Sequence, residues 1–375
     1  MRLFIRPNDI LMFRDGKPFA GGDDHFARGT FPPPPSTIYG ALRSHILSTA
    51  WPEFNKYASG DASIHEHETV KKEIGSPERN GSLTIRQFTL AKKDEAAIQH
   101  FFSMPKDIVK QKGSDNSTLY ILKPESTVTH RIKTDLPDNL LHLWYPEEKA
   151  LESVTGFLSD AAMLKYLGGE MPEMWTEPQK LYETEERTGI RKSKTSRSVE
   201  IGGLYSVEYY RLNDGVGFVV EVDGTELLPS SGLLRLGGDH RSANYTEISW
   251  NEIPAESIKE KIAQHRRFKI VLTSPAIFKN GWLPGGIDNR KFEGTLNSIP
   301  VKLTGACVGK PVGLGGFDLV KRMPKVMKRA VPAGSIYYFE LKNNNIDELF
   351  KQVWLKSISD EKAREGFGIS LIGGY

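Results

Sequence analysis

A chain of 375 residues, 38% hydrophobic, 26% charged and 10% aromatic, is long enough for two modest domains with cores of their own. Its formal charge of only +3 excludes a histone-like polycation, so nucleic-acid contact has to come from local patches. The single cysteine, Cys307, excludes an internal disulfide and any CxxC or zinc-knuckle site. No apolar run is long enough to span a bilayer, and charge and proline interrupt residues 1–7 too early for a signal peptide, so a cytoplasmic protein is expected.

In chain order, residues 3–13 read as a strand entering a turn at Arg14-Asp15-Gly16-Lys17-Pro18, where Asp-Gly supplies the turn chemistry. Gly21-Gly22 and a stiff proline run, Phe31-Pro32-Pro33-Pro34-Pro35, follow. Ile38, Ala41, Leu42 and Ile46 then fall at helical spacing, predicting a helix over about 37–51 with Ser36 as its N-cap. Residues 55–81 are polar and read as a loop with some helix. Strands are predicted at 83–90 and 119–122, and a helix over 151–167.

A basic, acid-free stretch over 187–197 carries Arg187, Arg191, Lys192, Lys194 and Arg197. It precedes strand patterns at 204–212 and 216–222, which implies a long hairpin arm or a loop with a cationic tip. A polar, helix-like connector spans 251–261. Strands are predicted at 268–272, 301–308, 317–321 and 335–341. Asn345, followed by Asp347 and Glu348, caps a helix whose apolar face is Ile346, Leu349, Phe350 and Val353. The chain closes on GFGISLIGGY, a glycine-punctuated strand. Strands flanking single helices in both halves fit an α+β fold of two sandwiches, read as ferredoxin-like (RRM-type) domains with long insertions and divided as residues 1–250 and 251–375.

Three constellations bear on function. At PSTIYGALR, the amides and partial positive charge of a helix start suit a phosphate. Ser36 and Thr37 would add hydroxyls, Gly40 would allow close backbone approach, and Arg28 and Arg43 would supply charge. An ordinary capped core helix explains the same residues. The glycine loops at Gly237-Gly238, Gly285-Gly286, Gly313 with Gly315-Gly316, and 366–374 would bare amides for a sugar-phosphate chain, or form plain turns. None is a P-loop or Rossmann fingerprint. Two basic clusters beside aromatics, the 187–197 stretch and Lys321-Arg322 with Lys325, Lys328 and Arg329, fit single-stranded RNA or simply a solvated surface. Asp23-Asp24-His25 and His65-Glu66-His67 lack a further ligand pair for zinc, and Cys307 has no nucleophile motif.

The stations Phe13-Arg14-Asp15-Gly16-Lys17-Pro18-Phe19, Phe31-Pro32-Pro33-Pro34-Pro35-Ser36-Thr37 and Gly40-Ala41-Leu42-Arg43 closely resemble the RAMP-superfamily subunits of type III-B (Cmr) CRISPR effectors, specifically the third Cmr subunit family. The likeness continues through Leu236-Gly237-Gly238-Asp239-His240-Arg241, Gly281-Trp282-Leu283-Pro284, Gly315-Gly316-Phe317-Asp318 and Val331-Pro332-Ala333-Gly334 to the terminal GFGISLIGGY, spanning nearly the whole chain. The resemblance implies two ferredoxin-like domains and a non-catalytic role capping the foot of the complex, holding the 5′ tag of the crRNA. It implies as partners the large polymerase-like Cmr subunit and a Cmr backbone subunit, with no cofactor. The RNA-binding residues expected on these grounds are Arg28, Ser36, Thr37, Gly40, Arg43, Arg187, Arg191, Lys192, Lys194, Arg197, Gly237, Gly238, Arg241, Gly315, Gly316, Lys321, Arg322, Gly366, Phe367 and Gly368. The alternative is a metal-independent CRISPR-transcript endoribonuclease of the same superfamily, resting on His25 near Arg28 and Ser36.

Overall fold

A computed structural model describes residues 1–14, 26–59, 67–95, 97–113, 118–126, 136–137, 139–147, 149–193, 195–196, 198–251 and 253–375. Strands dominate, with six α-helices among the described residues. The chain divides into two units, each discontinuous: Met1–Ile85, Gln179–Ser249 and Gly313–Arg329 form one, and Arg86–Pro178, Trp250–Val312 and Ala330–Tyr375 the other. A division at residue 250 therefore captures one crossing point only. Residues 86–178 pack with the C-terminal stretches, and 313–329 group with the N-terminal ones.

In the first unit, Leu3, Phe4 and Ile5 are buried on both faces of strand Arg2–Pro7 because that strand is central. It pairs antiparallel with Val216–Asp223 on one side and Ser242–Glu247 on the other, and Ser231–Arg235 extends the sheet beyond the latter. Helix α1, Pro35–Ala50, starts earlier than the hydroxyl signal implied. Its N-cap is Pro34, with no side-chain cap bond, and Ser36 lies inside the first turn. Proline at the first helical position surrenders an amide that has no helical partner anyway, so Pro35 starts the helix without Ser36. Ile38, Leu42, Ile46 and Leu47 face the core, and His45 Nε2 meets the Tyr245 hydroxyl at 3.0 Å. The polar 55–81 stretch contains two short helices, α2 at Phe54–Ser59 and α3 at Glu68–Ile74. The buried Glu73 carboxylate accepts from Thr225 Oγ1 (2.6 Å) and the Glu226 amide (2.8 Å), fixing the loop between two sheet strands.

From this unit springs a long antiparallel hairpin, Tyr182–Lys192 with Val199–Leu212, in register from Tyr182↔Leu212 to Lys192↔Val199 with one irregularity between Ile190 and Lys192. At roughly 3.4 Å per residue such arms span about 35 Å. The arm predicted at 187–197 is thus present, although it begins at Tyr182.

In the second unit, the strands lie in the order Glu293–Leu296, Ile299–Cys307, Ile336–Leu341, Arg267–Leu272, Ile369–Gly374 and Lys356–Ser357, every neighbour antiparallel. The helix predicted over 151–167 begins only at Asp160. Gly156, at φ +147°, breaks the chain between strands Leu151–Ser153 and Phe157–Ser159, and Ser159 caps α4 (Asp160–Leu167) by accepting from the Ala162 amide. Helix α5, Glu256–His265, occupies the predicted connector. Helix α6, Ile346–Val353, is capped as expected, Asn345 accepting from the Glu348 amide. All three helices pack on strand Ile369–Gly374.

The core of this unit encloses charge. Asp107, fully buried, accepts from the Tyr166 hydroxyl at 2.6 and 2.7 Å and from the Tyr338 hydroxyl at 2.5 Å. The buried Lys269 ammonium sits 3.3 Å from the Tyr166 ring centroid, and desolvation brings its pKa down to about 8. Paired hydrogen bonds make such a network tolerable, and removing one partner exposes the cost.

Two outcomes follow from this core. Asp107→Ala, which orphans the buried Tyr166 hydroxyl at about 1–3 kcal/mol and leaves the Tyr338 hydroxyl only the Leu122 carbonyl (3.0 Å), should lower unfolding stability by roughly 1–3 kcal/mol in urea titration; an unchanged midpoint contradicts the network's role. For Lys269 the unfolded chain holds the extra proton between pH 8 and 10.5, so stability should rise with pH there. Cys307, raised by burial to about 12, opposes this above pH 9. The rise is therefore expected at pH 8–9, in the difference between the wild type and Lys269→Met, and a flat difference contradicts it.

Candidate nucleic-acid interface

At the start of α1 the predicted phosphate site is only partly open. Arg28 is exposed, while Ser36 and Thr37 are half-buried, and the Thr37 amide donates to the Pro34 carbonyl. A side chain at Gly40 would meet nothing within 4 Å among the described residues, so no described neighbouring backbone needs that glycine. Arg43 does not serve as an external phosphate ligand. Its Nε donates to the Ile74 carbonyl (2.8 Å) and its terminal nitrogen to the Tyr57 hydroxyl (2.5 Å) and the Ser76 carbonyl, tying α1 to α2 and to the turn after α3.

The hairpin base is a charge network. Arg211 bridges Glu185 (2.9 Å) and Asp9 (3.5 Å); Arg241 bridges Asp9 (3.1 Å) and Asp239 (3.1 Å); Arg187 pairs with Glu185 (2.6 Å). The Tyr209 ring lies between Arg187 (5.5 Å) and Arg241 (5.3 Å), a cation–π contact on each. Three arginines meet three carboxylates, and Glu183, Glu186 and Glu208 add negative charge along the same strands. Arg187 and Arg241, both expected to meet RNA, are thus neutralised within the chain. Hydrogen bonds from Arg187 and Arg211 hold the Glu185 carboxyl below its usual range. A bond from the Ile10 amide, aided by Arg241, Arg211 and Arg187, does the same for Asp9 against the opposing effect of desolvation.

The Gly237-Gly238 turn seats on the same base. The Gly238 amide donates to the Met12 carbonyl at 2.8 Å, and at Gly237 (φ +79°) a Cβ would stand 2.5 Å from that carbonyl. Glycine is required there for close approach within the chain, and the Gly238 amide is not available to a phosphate. At the far end of the hairpin Arg191 and Lys192 are exposed, and the Ser193 hydroxyl accepts from the Thr195 and Ser196 amides. Lys194 and Arg197 lie outside the described residues, as do Asp23, Asp24, His25 and His65.

The terminal glycines are placed differently from expectation. Gly366, Phe367 and Gly368 are buried in the second unit. The Gly368 amide donates to the Pro275 carbonyl (2.7 Å), the Gly366 amide to the Ala363 carbonyl (3.1 Å), and the Phe367 carbonyl accepts from Ser357 Oγ (2.6 Å). At Gly368 (φ +67°) a Cβ would lie 2.6 Å from Ser359. These glycines turn a core strand, so their amides do not face an outside ligand. Gly315 and Gly316 precede an exposed two-stranded ribbon, Phe317–Asp318 with Met323–Pro324, that carries exposed Lys321 and Arg322. Among the described residues no group of three or more His, Cys, Asp or Glu is placed to hold a metal, and no helix is long and apolar enough to cross a membrane.

The features that sequence reasoning missed are the acidic partners of the hairpin. Asp9 stands some 200 residues from the arginines it pairs with, and no local pattern announces it.

This strand-rich α/β architecture is shared with a chain in the cryo-EM structure of the type III-B Cmr-beta complex bound to cognate target RNA and AMPPnP, state 1. The TM-score is 0.51 at 16% identity, covering 94% of this chain and 88% of that one. The structure of Cmr-beta bound to cognate target RNA gives TM-score 0.51 at 17% identity, covering 94% and 89%. No curated protein sequence matches the chain. The class these likenesses define is a fold: the strand-rich α/β architecture of chains found in type III-B Cmr-beta complexes. The family is set by sequence: the model for CRISPR-associated protein (Cas_Cmr3) matches residues 3–374, and the chain belongs to that family.

The charge network makes the hairpin base acid-sensitive. Carboxylates held below their ordinary values stabilise the paired state above about pH 4, and that contribution is lost as pH falls through the lowered values. Amide exchange within 182–192 and 205–212 should therefore accelerate below about pH 4 relative to strand Val216–Asp223, after correction for intrinsic rates. Equal protection of hairpin and sheet strand across pH 3–6 contradicts the network.

Proposed function

We propose that the chain is a non-catalytic RNA-binding subunit of a type III-B Cmr effector complex, capping its foot and holding the 5′ tag of the crRNA. Its partners in this reading are the large polymerase-like Cmr subunit and a Cmr backbone subunit. Family membership supports the assembly, and the hairpin supports the RNA role. An arm about 35 Å long has its basal arginines matched by carboxylates, while Arg191 and Lys192 stand exposed at its far end beside Lys194 and Arg197 in sequence. Exposed cations at the end of an arm whose basal arginines are held by carboxylates direct a phosphate chain to that end and away from the base. That contrast is the observation that carries the reading.

Both halves are read as ferredoxin-like domains with insertions. In the second unit the strands Arg267–Leu272, Ile299–Cys307, Ile336–Leu341 and Ile369–Gly374, numbered 1 to 4 along the chain, lie in the order 2-3-1-4, with α6 between the last two. That order, all neighbours antiparallel, supports the ferredoxin-like reading there. A glycine-containing segment, 273–298, stands where a helix would join the first two strands.

Single-stranded nucleic acid gives a salt slope of about −0.7 per phosphate neutralised. Arg191→Glu, Lys192→Glu and Lys194→Glu together should therefore cut guide-RNA loading of assembled complexes at least tenfold. The magnitude of the slope of log affinity against log salt should fall by about 2, three contacts at about 0.7 each. Complexes of this triple variant that load guide RNA with wild-type affinity and slope contradict the proposal.

A further inference from the structure

Residues 313–329 form a basic ribbon that the hairpin argument leaves unexplained. Of the fourteen exposed large hydrophobic residues among those described, five lie within 317–327: Phe317, Leu319, Met323, Val326 and Met327, between 44% and 84% exposed. That density marks an interaction surface, since monomeric proteins scatter such residues singly. The same stretch exposes Lys321, Arg322, Lys325 and Arg329. Its one acidic residue, Asp318, is engaged by its own turn: Oδ1 accepts from the Val320 and Lys321 amides, both at 3.0 Å, and the Lys321 amide above all holds its carboxyl below the usual range.

The chemistry separates two occupants. Single-stranded RNA held by cations also wants flat rings on which bases stack. Here four of the five exposed apolar side chains are aliphatic or thioether, and only Phe317 is aromatic. Branched aliphatics and methionines instead fill irregular apolar hollows of another protein, with methionine adapting to their shape. The rim of basic side chains selects for carboxylates around that hollow. The ribbon holds itself by two short pairings, Val312–Leu314 with Lys328–Ala330 and Phe317–Asp318 with Met323–Pro324, and a two-stranded hairpin is marginal in water by itself, so burial against a partner adds what the ribbon lacks.

We infer that the 317–329 ribbon is a protein-docking arm whose occupant is an apolar hollow rimmed by carboxylates on another subunit, not the guide RNA. This removes Lys321 and Arg322 from the RNA-binding set. It uses the effector-complex reading only to choose which proteins to assay.

The test titrates the full-length chain against each purified partner subunit and, separately, against guide RNA. The variants are Leu319→Asp with Val326→Asp, and Lys321→Glu with Arg322→Glu. Because these side chains are exposed, thermal unfolding should match the wild type, and circular dichroism checks it. Both pairs should weaken binding to one protein subunit at least tenfold at low salt, the charge reversal losing most of its effect at high salt, with RNA affinity changed less than twofold. Binding to every subunit within twofold of wild type overturns the inference. So does a loss confined to RNA affinity, or a self-association of the chain that the aspartates abolish, which would make a second copy the occupant. Guide-RNA loading governed by Arg191 and Lys192 is read in a separate assay, so either proposal fails without the other.

Discussion

A buried amide without an acceptor costs about 1–3 kcal/mol, and that penalty governs what the buried glycine turns of this protein can do. Gly368 and Gly366 lie in the core of the second unit, so their amides have to find carbonyls there, and they do, on Pro275 and Ala363. Gly238 is exposed yet equally committed, its amide bound to Met12. Glycine at these places lets two backbones of one chain come together. The grip on a nucleic acid, if main-chain amides cannot supply it, falls to side chains.

Charge pairing then decides which side chains. Arginines near carboxylates in the hairpin base hold the two strands against the 9–12 segment and have little field left for a phosphate. Asp9, Glu185 and Asp239 hold Arg211, Arg187 and Arg241 in this way. Arg43 is committed to carbonyls instead. The arm's charge-paired half and its exposed cationic end are therefore separated along its length, with Tyr209 between two guanidiniums at the base and Arg191 and Lys192 beyond the last apolar cross-strand pair, Ile190 with Leu204.

How much of this was legible in the sequence depended on the range of the interaction. Asn345 with Glu348 three residues on is a local device, and α6 begins where it points. The hairpin was visible because its strands are adjacent in sequence. The start of α1 was misjudged by one signal outranking another, Pro35 beginning the helix that Ser36 was expected to cap. The site was less legible than the fold. A run such as 187–197 looks cationic until Glu185 and the distant Asp9 are brought beside it, and the terminal glycines look exposed until strand Arg267–Leu272 pairs with them. The family resemblance read from motifs agrees with the match of the Cas_Cmr3 family over residues 3–374.

The most direct test of the central claim, that side chains at the hairpin's end and not core glycine amides hold the RNA, is zero-length photocrosslinking. Assembled complexes would carry guide RNA substituted with 4-thiouridine along its 5′ tag, and crosslinked peptides from this chain would be mapped by mass spectrometry. The account expects crosslinks concentrated between residues 187 and 199. Crosslinks concentrated in 366–374, with none on the hairpin, would contradict it.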